Sequence, residues 1–222
     1  MEKILYPLWK TASDTADAFR DTLLADVGAP LCELGGVHGV RLSVADSAVE
    51  PARARRMEGN PPLPDAMLSL WVDFAGHAGR WEPIIDAGVA RRASYLVAEA
   101  EPLVSQATHP AQPGERVHGM CQVVFMTPPA GLPRDEWLAL WKDSHTQIAI
   151  DTQSTFGYRQ NLVVRNLAPD TPPCHAVVEE NFPPEAMTSD HAFYASGGDE
   201  AVLREHMTAM MESCARFIDL SR

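Results

Sequence analysis

Residues 19–27 read FRDTLLADV, and residues 137–145 read WLALWKDSH. Both stretches place a large side chain at every fourth position: Phe19 and Leu23 in the first, Trp137 and Trp141 in the second. A constant offset of 118 positions relates the two stretches, because 137 − 19 and 141 − 23 give the same number. A strand-like run precedes each stretch and another follows it. The simplest interpretation is one small unit that is repeated in tandem.

The repeat predicts the same order of elements, βαββαβ, in each half. Alternation of apolar residues predicts strands, and apolar residues three and four apart predict helices. The first half then has strands at 3–9, 40–44, 67–74 and 94–98 and helices at 14–27 and 80–91. The second half has strands at 121–126, 158–165, 176–180 and 215–220 and helices at 133–155 and 199–213. Proline-rich segments at 61–64 and 108–114 interrupt the periodic pattern and predict connections.

This element order predicts an α+β fold with two ferredoxin-like βαββαβ units, at residues 1–105 and 116–222. A four-stranded antiparallel sheet with helices on one face leaves the other face bare, and apolar surface costs about 25 cal/mol per Å² to expose. We therefore expect the two antiparallel sheets to pack face to face as an intramolecular α+β barrel. Such a chain would be a monomeric pseudo-dimer, or a homodimer through its outer surface.

Charge and cysteine usage limit the partners. A formal net charge of −12 over 222 residues repels phosphate backbones and anionic lipids, so we expect no nucleic acid and no membrane partner. The N-terminus lacks a signal-like apolar run, which predicts a cytoplasmic protein. Cys32, Cys121, Cys174 and Cys214 are far apart in apolar surroundings, and this predicts reduced, buried thiols.

Motifs for common cofactors are absent from the sequence. It contains neither GxGxxG nor GxxxxGK[ST], and its eight histidines lack HxH or HExxH spacing. We therefore predict no cofactor and no metal. Neither a Ser/His/Asp order nor a catalytic pair of carboxylates is recognisable, which argues against acyl transfer and glycoside hydrolysis.

His145 is the candidate for chemistry, because it lies on the apolar stripe of the helix predicted at 133–155. The stripe also carries Trp137, Trp141, Ile148 and Thr152. One interpretation is a structural histidine that hydrogen-bonds beneath the sheet. The other is a general base, since an apolar pocket lowers the pKa of an imidazole and keeps it neutral. The matched position in the first half, Val27, shows that packing alone does not require a histidine.

Polar residues open the strand that follows this helix. Alternation places Tyr158 on one face of that strand and Arg159 on the other. We predict His145 and Tyr158 as catalytic residues and Trp141, Arg159 and Ile148 as substrate-binding residues. Tyr158 and Arg159 also have structural interpretations, as a buried aromatic residue and as a salt-bridge partner. Glu179 and Glu180 are predicted to be charges at the rim of the sheet.

The run GLPRDEW at 131–137, continued by Trp141 and by KDSH at 142–145, resembles the signature of EthD-domain proteins. That family belongs to the dimeric α+β-barrel superfamily, so the resemblance implies the same pairing of two sheets. It covers most of residues 119–220, and the first half depends on the repeat alone. The chain departs from the family pattern after the histidine, where Thr146 and Gln147 replace a small residue and proline.

Two functions fit this resemblance. The first is a cofactor-free enzyme, monooxygenase-, cyclase-, isomerase- or dehydratase-like, that transfers protons on a small apolar, aromatic or polyketide-like compound. The second is a non-catalytic protein that binds such a molecule for a catabolic pathway. Turnover distinguishes the two functions.

Overall fold

The computed structural model describes residues 1–57 and 63–219. Pro61 and Pro62 of the predicted connection, and Leu220 of the predicted closing strand, lie outside these residues. The described strands are β1 (Glu2–Trp9), β2 (Val37–Val44), β3 (Ala66–Val72), β4 (Arg91–Arg92), β5 (Tyr95–Leu103), β6 (Met120–Met126), β7 (Gly157–Asn166) and β8 (Ala176–Phe182). The described α-helices are α1 (Ala16–Thr22), α2 (Ala29–Cys32), α3 (Glu82–Ala87), α4 (Arg134–Leu138), α5 (Thr146–Thr152), α6 (Asp190–Phe193) and α7 (Glu200–Ala215).

The chain forms two compact units. Unit 1 contains residues 1–50, the described part of 58–99, and 162–173. Unit 2 contains residues 51–57, 100–161 and the described part of 174–222. Both units combine antiparallel strands with helices, so the predicted α+β class and the antiparallel pairing are confirmed.

Unit 1 has the strand order β2-β3-β1-β5, which is the order of a ferredoxin-like sheet. β1 pairs with β3 in antiparallel register, with Ile4 opposite Leu70 and Tyr6 opposite Leu68. Because side chains alternate along a strand, these four residues share one face. They pack with Leu23 and other residues of the helical segment at 16–32 into one apolar core.

Unit 2 repeats this order with β7-β8-β6. β6 and β8 are antiparallel, with Val124 opposite Val178. The closing strand predicted at 215–220 is wrong for its described residues, because α7 continues to Ala215 and a turn follows. The carbonyl of Phe217 accepts a hydrogen bond from the Trp137 indole at 3.1 Å, so this backbone group is already paired outside any strand ladder.

A shared helical irregularity positions the core side chains of both units. α1 and α2 are joined by a π-helical segment at Leu23–Gly28, and α4 and α5 by one at Ala139–His145. A π-turn contains more residues than the 3.6 of an α-turn, so side chains four apart come closer to one line. The buried stripe therefore runs at a spacing of four in both units: Phe19, Leu23, Val27 and Leu31 in unit 1, and Trp137, Trp141, His145 and Ala149 in unit 2.

The same irregularity corrects the predicted stripe of the second helix. Ala149 is completely buried, whereas Ile148 is only partly buried at the edge of the stripe. The predicted core positions of Trp137 and Trp141 are confirmed, since they are 1% and 0% exposed.

Replacing Trp137 by phenylalanine should lower the free energy of unfolding by about 1–3 kcal/mol. The substitution keeps an aromatic ring but removes the indole N–H, and the buried carbonyl of Phe217 then loses its partner. Urea unfolding monitored by circular dichroism measures the effect. Phe19→Leu, at the matched position of unit 1, also makes a buried side chain smaller but removes no hydrogen bond, so it serves as the control for lost packing. An unchanged midpoint in Trp137→Phe would show that the indole bond contributes nothing.

The structure also tests the predicted state of the four cysteines. All four cysteines are free, but Cys32 is exposed and the other three are partly exposed, so the prediction that they are buried is wrong. Cys32 lies at the end of α2, beyond the buried residue Leu31. Among the described residues, no helix is long and apolar enough to span a membrane.

Candidate active site

Tyr158 and Glu180 belong to a buried polar cluster in unit 2. Tyr158 lies near the start of β7 and is 1% exposed, and Glu180 lies within β8 and is 8% exposed. Burial and the carboxyl of Glu180 raise the pKa of the Tyr158 hydroxyl well above its ordinary value of 10.0. The indole of Trp141 and the amide of Gln160 act in the opposite direction and lower the pKa of the hydroxyl. Tyr158 therefore remains a protonated phenol at neutral pH.

Glu180 is a carboxyl group without compensation for its burial. Its strand reads AVVEENF, and every residue of that strand is buried. Desolvation raises the pKa of Glu180 from 4.5 to about 8, because burial penalises the charged form. The oxygen Oε1 has no hydrogen-bond partner. At pH 7 Glu180 is thus mainly a neutral acid, and it can release its proton within the range in which enzymes work.

Trp141 contributes a second buried polar atom that lacks a well-formed hydrogen bond. Its side chain is completely buried, and its Nε1 lies near the Tyr158 hydroxyl but outside the geometry of a full hydrogen bond. Buried N–H groups and carboxyl oxygens are nearly always paired in folded proteins. A weakly bonded donor and an unpaired acceptor around one phenol are therefore able to bond the polar group of a small molecule.

Gln160 connects Tyr158 to the π-helical segment. Its Nε2 donates to Thr146 Oγ1 at 2.7 Å, and Thr146 Oγ1 donates to the carbonyl of Trp141 at 3.1 Å. The backbone N–H of Thr146 bonds to the same carbonyl, five residues earlier, as a π-turn requires. These contacts fix the position of the strand relative to the helix that carries Trp141.

His145 belongs to a neighbouring cluster. Its Nδ1 lies 2.9 Å from Ser213 Oγ on α7, and its ring centroid lies 4.6 Å from that of Phe217. Burial lowers the pKa of His145 from 6.5 to about 4, so the imidazole is neutral at pH 7. A base this weak accepts a proton from carbon poorly, but a neutral ring can orient a hydrogen bond.

Arg159 points away from Tyr158, as alternation predicts. Its guanidinium forms an ion pair with Glu101 at 2.9 Å and donates to Ser105 Oγ at 2.9 Å and Asn181 Oδ1 at 3.3 Å. Arg159 is 3% exposed. These contacts occupy the guanidinium within unit 2, and they favour the structural interpretation over a role in binding substrate.

The five predicted site residues therefore lie in four places. Tyr158 and Trp141 are brought together, and His145 lies beside Ser213 and Phe217. Arg159 lies on the other face of β7, and Ile148 lies partly exposed on α5. Sequence reasoning missed Glu180, because the prediction of Glu179 and Glu180 as rim charges is wrong: they are 0% and 8% exposed. The available signal was two consecutive glutamates inside a strand that begins with Ala-Val-Val and ends with Phe182, where a charged side chain is unusual.

Two surface clefts lie away from this cluster. One of about 300 Å³ in unit 1 is lined by Asp86, Ala90, Arg91, Arg92, Ala168 and Asp170. Another of about 560 Å³ in unit 2 is lined by Glu185, Ser189, His191, Ala192, Ala195, Gly197 and Gly198. Within the part of the chain that the structure describes, no group of three or more His, Cys, Asp or Glu side chains is arranged to hold a metal ion.

Comparison with known proteins gives distant structural likenesses. No protein family model and no curated protein sequence matches this chain. A chlorite dismutase-like protein has a TM-score of 0.49 at 10% identity, over 98% of this chain and 90% of that chain. A monooxygenase-like protein from Lactobacillus acidophilus has a TM-score of 0.48 at 7% identity, over 98% and 89%. An anthrone oxidase-like protein has a TM-score of 0.46 at 12% identity, over 95% and 85%. No activity follows from likeness of this degree.

Proposed function

We propose that this chain is an EthD-like protein of the dimeric α+β-barrel superfamily that transfers a proton on a small apolar, aromatic or polyketide-like compound without a cofactor. The run at 131–145 and the ferredoxin-like strand order in each unit support the family. The observation that carries the chemistry is the buried carboxyl of Glu180, with an unpaired oxygen and a pKa of about 8 beside the Tyr158 phenol.

Proton transfer divides between the two side chains. Ionised Glu180 removes a proton from an acidic carbon next to a carbonyl group of the substrate. Tyr158 remains protonated and donates a hydrogen bond to the oxygen on which negative charge develops. The Trp141 indole, whose N–H lacks a well-formed hydrogen bond, forms an aromatic wall and offers a second donor. Neutral Glu180 then returns a proton to the product.

The dependence of rate on pH identifies the base. Exchange of the α-proton of tetralone in D₂O, followed by NMR, reports proton abstraction directly. With Glu180 as the base, the rate should rise by about tenfold per pH unit below pH 8 and level off above it. With His145 as the base, the rate should be constant from pH 5 upward, because its pKa is about 4. No exchange above the buffer rate at any pH would contradict the proposal.

His145→Ala and Val27→Ala separate chemistry from packing at matched positions. Both side chains are buried in the stripe of their own unit. Val27→Ala removes methyl groups and should cost about 1–3 kcal/mol of unfolding free energy without changing the exchange rate. If His145 is the base, His145→Ala should lower the rate by roughly 10²–10⁴-fold. If Glu180 is the base, His145→Ala should change the rate by less than tenfold. It also removes the hydrogen-bond partner of the Ser213 hydroxyl.

A binding function without turnover is the second candidate, and the depth of the cluster favours it. Tyr158 and Trp141 are 1% and 0% exposed, so a ligand reaches them only when the packing opens. A molecule bound there would form hydrogen bonds with Trp141 Nε1 and Glu180 Oε1 and would dissociate slowly. Binding of a fluorescent naphthol that quenches tryptophan emission, with no exchange of tetralone protons, would support this function and exclude the enzyme.

A further inference from the structure

A serine, a histidine and a glutamate form a hydrogen-bonded row between β8 and the start of α7. Ser196 Oγ lies 2.6 Å from His191 Nδ1, and His191 Nε2 lies 3.3 Å from Glu200 Oε1. This is the arrangement in which a carboxylate orients an imidazole and the imidazole accepts the proton of a hydroxyl. The three residues lie within ten positions of the chain, in the order His, Ser, Glu. They therefore do not match a triad motif with widely spaced residues.

Local structure holds the three side chains in place. α6 begins at a cap in which Ser189 Oγ accepts from the N–H of Ala192, and it presents His191 in its first turn. The chain reverses at Ala195, whose φ of +50° is unusual for a residue other than glycine. The N–H of Ser196 then bonds to the carbonyl of His191 at 3.0 Å. Backbone strain next to a nucleophile is a common property of catalytic turns.

Arg55 contacts α6 and the residues that precede it. Its Nε donates to the carbonyl of Ala186 at 2.6 Å, and its NH2 group pairs with Asp190 at 3.0 Å. Its guanidinium also lies over the ring of Phe193, 4.6 Å from the centroid. His191 follows Asp190 directly, so these contacts restrict the helix from which the imidazole projects. A fixed imidazole is what general-base catalysis requires.

A cleft of about 560 Å³ adjoins the row. His191 lines it, and Ala195 and Gly197 line it on either side of Ser196, which lies just behind this wall and is 6% exposed. Gly197 and Gly198 follow the serine directly, adopt φ of +61° and +91° and line the cleft. Small side chains and backbone make up most of the lining, and Glu185 adds negative charge. The cleft therefore suits a small, uncharged acyl group.

We propose that Ser196, His191 and Glu200 form a second site that hydrolyses small neutral esters. His191 Nδ1 takes the proton of Ser196 as Oγ attacks the ester carbonyl, and the Nε2–H of His191 donates to Glu200. The N–H groups of Gly197 and Gly198 bind the oxyanion. The C–O bond to the alcohol breaks, the alcohol leaves with the proton from His191, and a serine ester remains. Water activated by His191 hydrolyses that ester, which releases the acid and restores Ser196.

A fluorophosphonate probe tests the site on the intact protein. We expect a covalent adduct at Ser196, located by mass spectrometry of peptides. His191→Gln should slow its formation by roughly 10²-fold, the usual contribution of a general base. Glu200→Gln should have a smaller effect, because this carboxylate is largely exposed to solvent. Hydrolysis of p-nitrophenyl acetate should fall in the same order.

Ser213 provides an internal comparison. It lies 2.9 Å from His145 Nδ1 and is buried, but the imidazole of that pair has no carboxylate among the contacts described for it. The probe should therefore leave Ser213 unmodified in the same sample. Folded wild-type protein without an adduct at Ser196, or an adduct that forms equally fast in His191→Gln, would overturn the proposal. The wild-type result decides even if Ser196→Ala fails to fold, and it is independent of proton exchange at Glu180.

Discussion

Glu180→Gln is expected to lower the rate of proton exchange by roughly 10²–10⁴-fold, the range that a general base contributes. The substitution keeps the shape of the side chain and removes only its ability to accept a proton. Because neutral Glu180 predominates at pH 7, replacing its carboxyl group by an amide group changes the charge of the cluster little. The loss should therefore appear in kcat, with KM nearly unchanged.

Glu179→Gln is the matched control. Glu179 precedes Glu180 on β8 and is 0% exposed, but alternation directs it to the other face, where Asn161 Nδ2 donates to its Oε2 at 3.0 Å. A glutamine there can still accept that bond through its carbonyl oxygen. Exchange at the wild-type rate in Glu179→Gln, together with loss in Glu180→Gln, assigns the base to one face of the strand. Equal losses in both variants would point to general damage to unit 2.

The dependence of stability on pH should contain two opposing contributions of several kcal/mol. The folded pKa of Glu180 is about 8 against 4.5 in the unfolded chain, so unfolding releases its proton between these values, and the free energy of unfolding falls as pH rises. The full contribution is about 5 kcal/mol. The folded pKa of His145 is about 4 against 6.5, so the free energy of unfolding falls as pH drops below 6.5, by about 3 kcal/mol in total.

Between about pH 4.5 and 6.5, the contributions of Glu180 and His145 to the free energy of unfolding change in opposite directions and cancel. A substitution of either residue removes this cancellation. His145→Gln should lose about 5 kcal/mol of stability between pH 4.5 and 8, and the wild type only about 2 kcal/mol over that range. Glu180→Gln should instead gain stability up to pH 6.5 and stay constant above it. Urea midpoints of the three proteins in one buffer series measure these differences. Parallel curves for wild type and Glu180→Gln would show that Glu180 is not buried in solution.

Most of the fold follows from spacing in the sequence. A nearly continuous apolar run at 66–72 and a four-residue spacing along 134–152 are sufficient to place β3 and the long helical run, because a strand buried on both faces and a helix buried on one face have different apolar patterns. The ferredoxin-like order of both units then follows from the order of strands and helices along the chain. Periodicity does not reveal a local change of helical pitch, so Ile148 was expected where Ala149 lies.

The candidate site was less predictable. The separation of Tyr158 from Arg159 follows from alternation alone, but the burial of Glu180 depends on which residues of α7 cover β8. Cys214 of α7 approaches both Tyr158 and Glu180, and no property of residues 176–182 specifies that contact. The row at His191 also depends on three-dimensional proximity, because a turn with positive φ brings Ser196 back to the helix that it has just left.

The π-helical segment bears on the history of the chain. It occurs at Leu23–Gly28 and at Ala139–His145, which overlap when the halves are superimposed at an offset of 118. An extra residue in the same turn of both halves needs to have arisen only once if an ancestral half-length gene already carried it before duplication. The matched position then diverged after duplication, since it now holds Val27 in one half and His145 in the other. On that history, the two halves inherited one helix pitch and differ in the side chain that the pitch directs into the core.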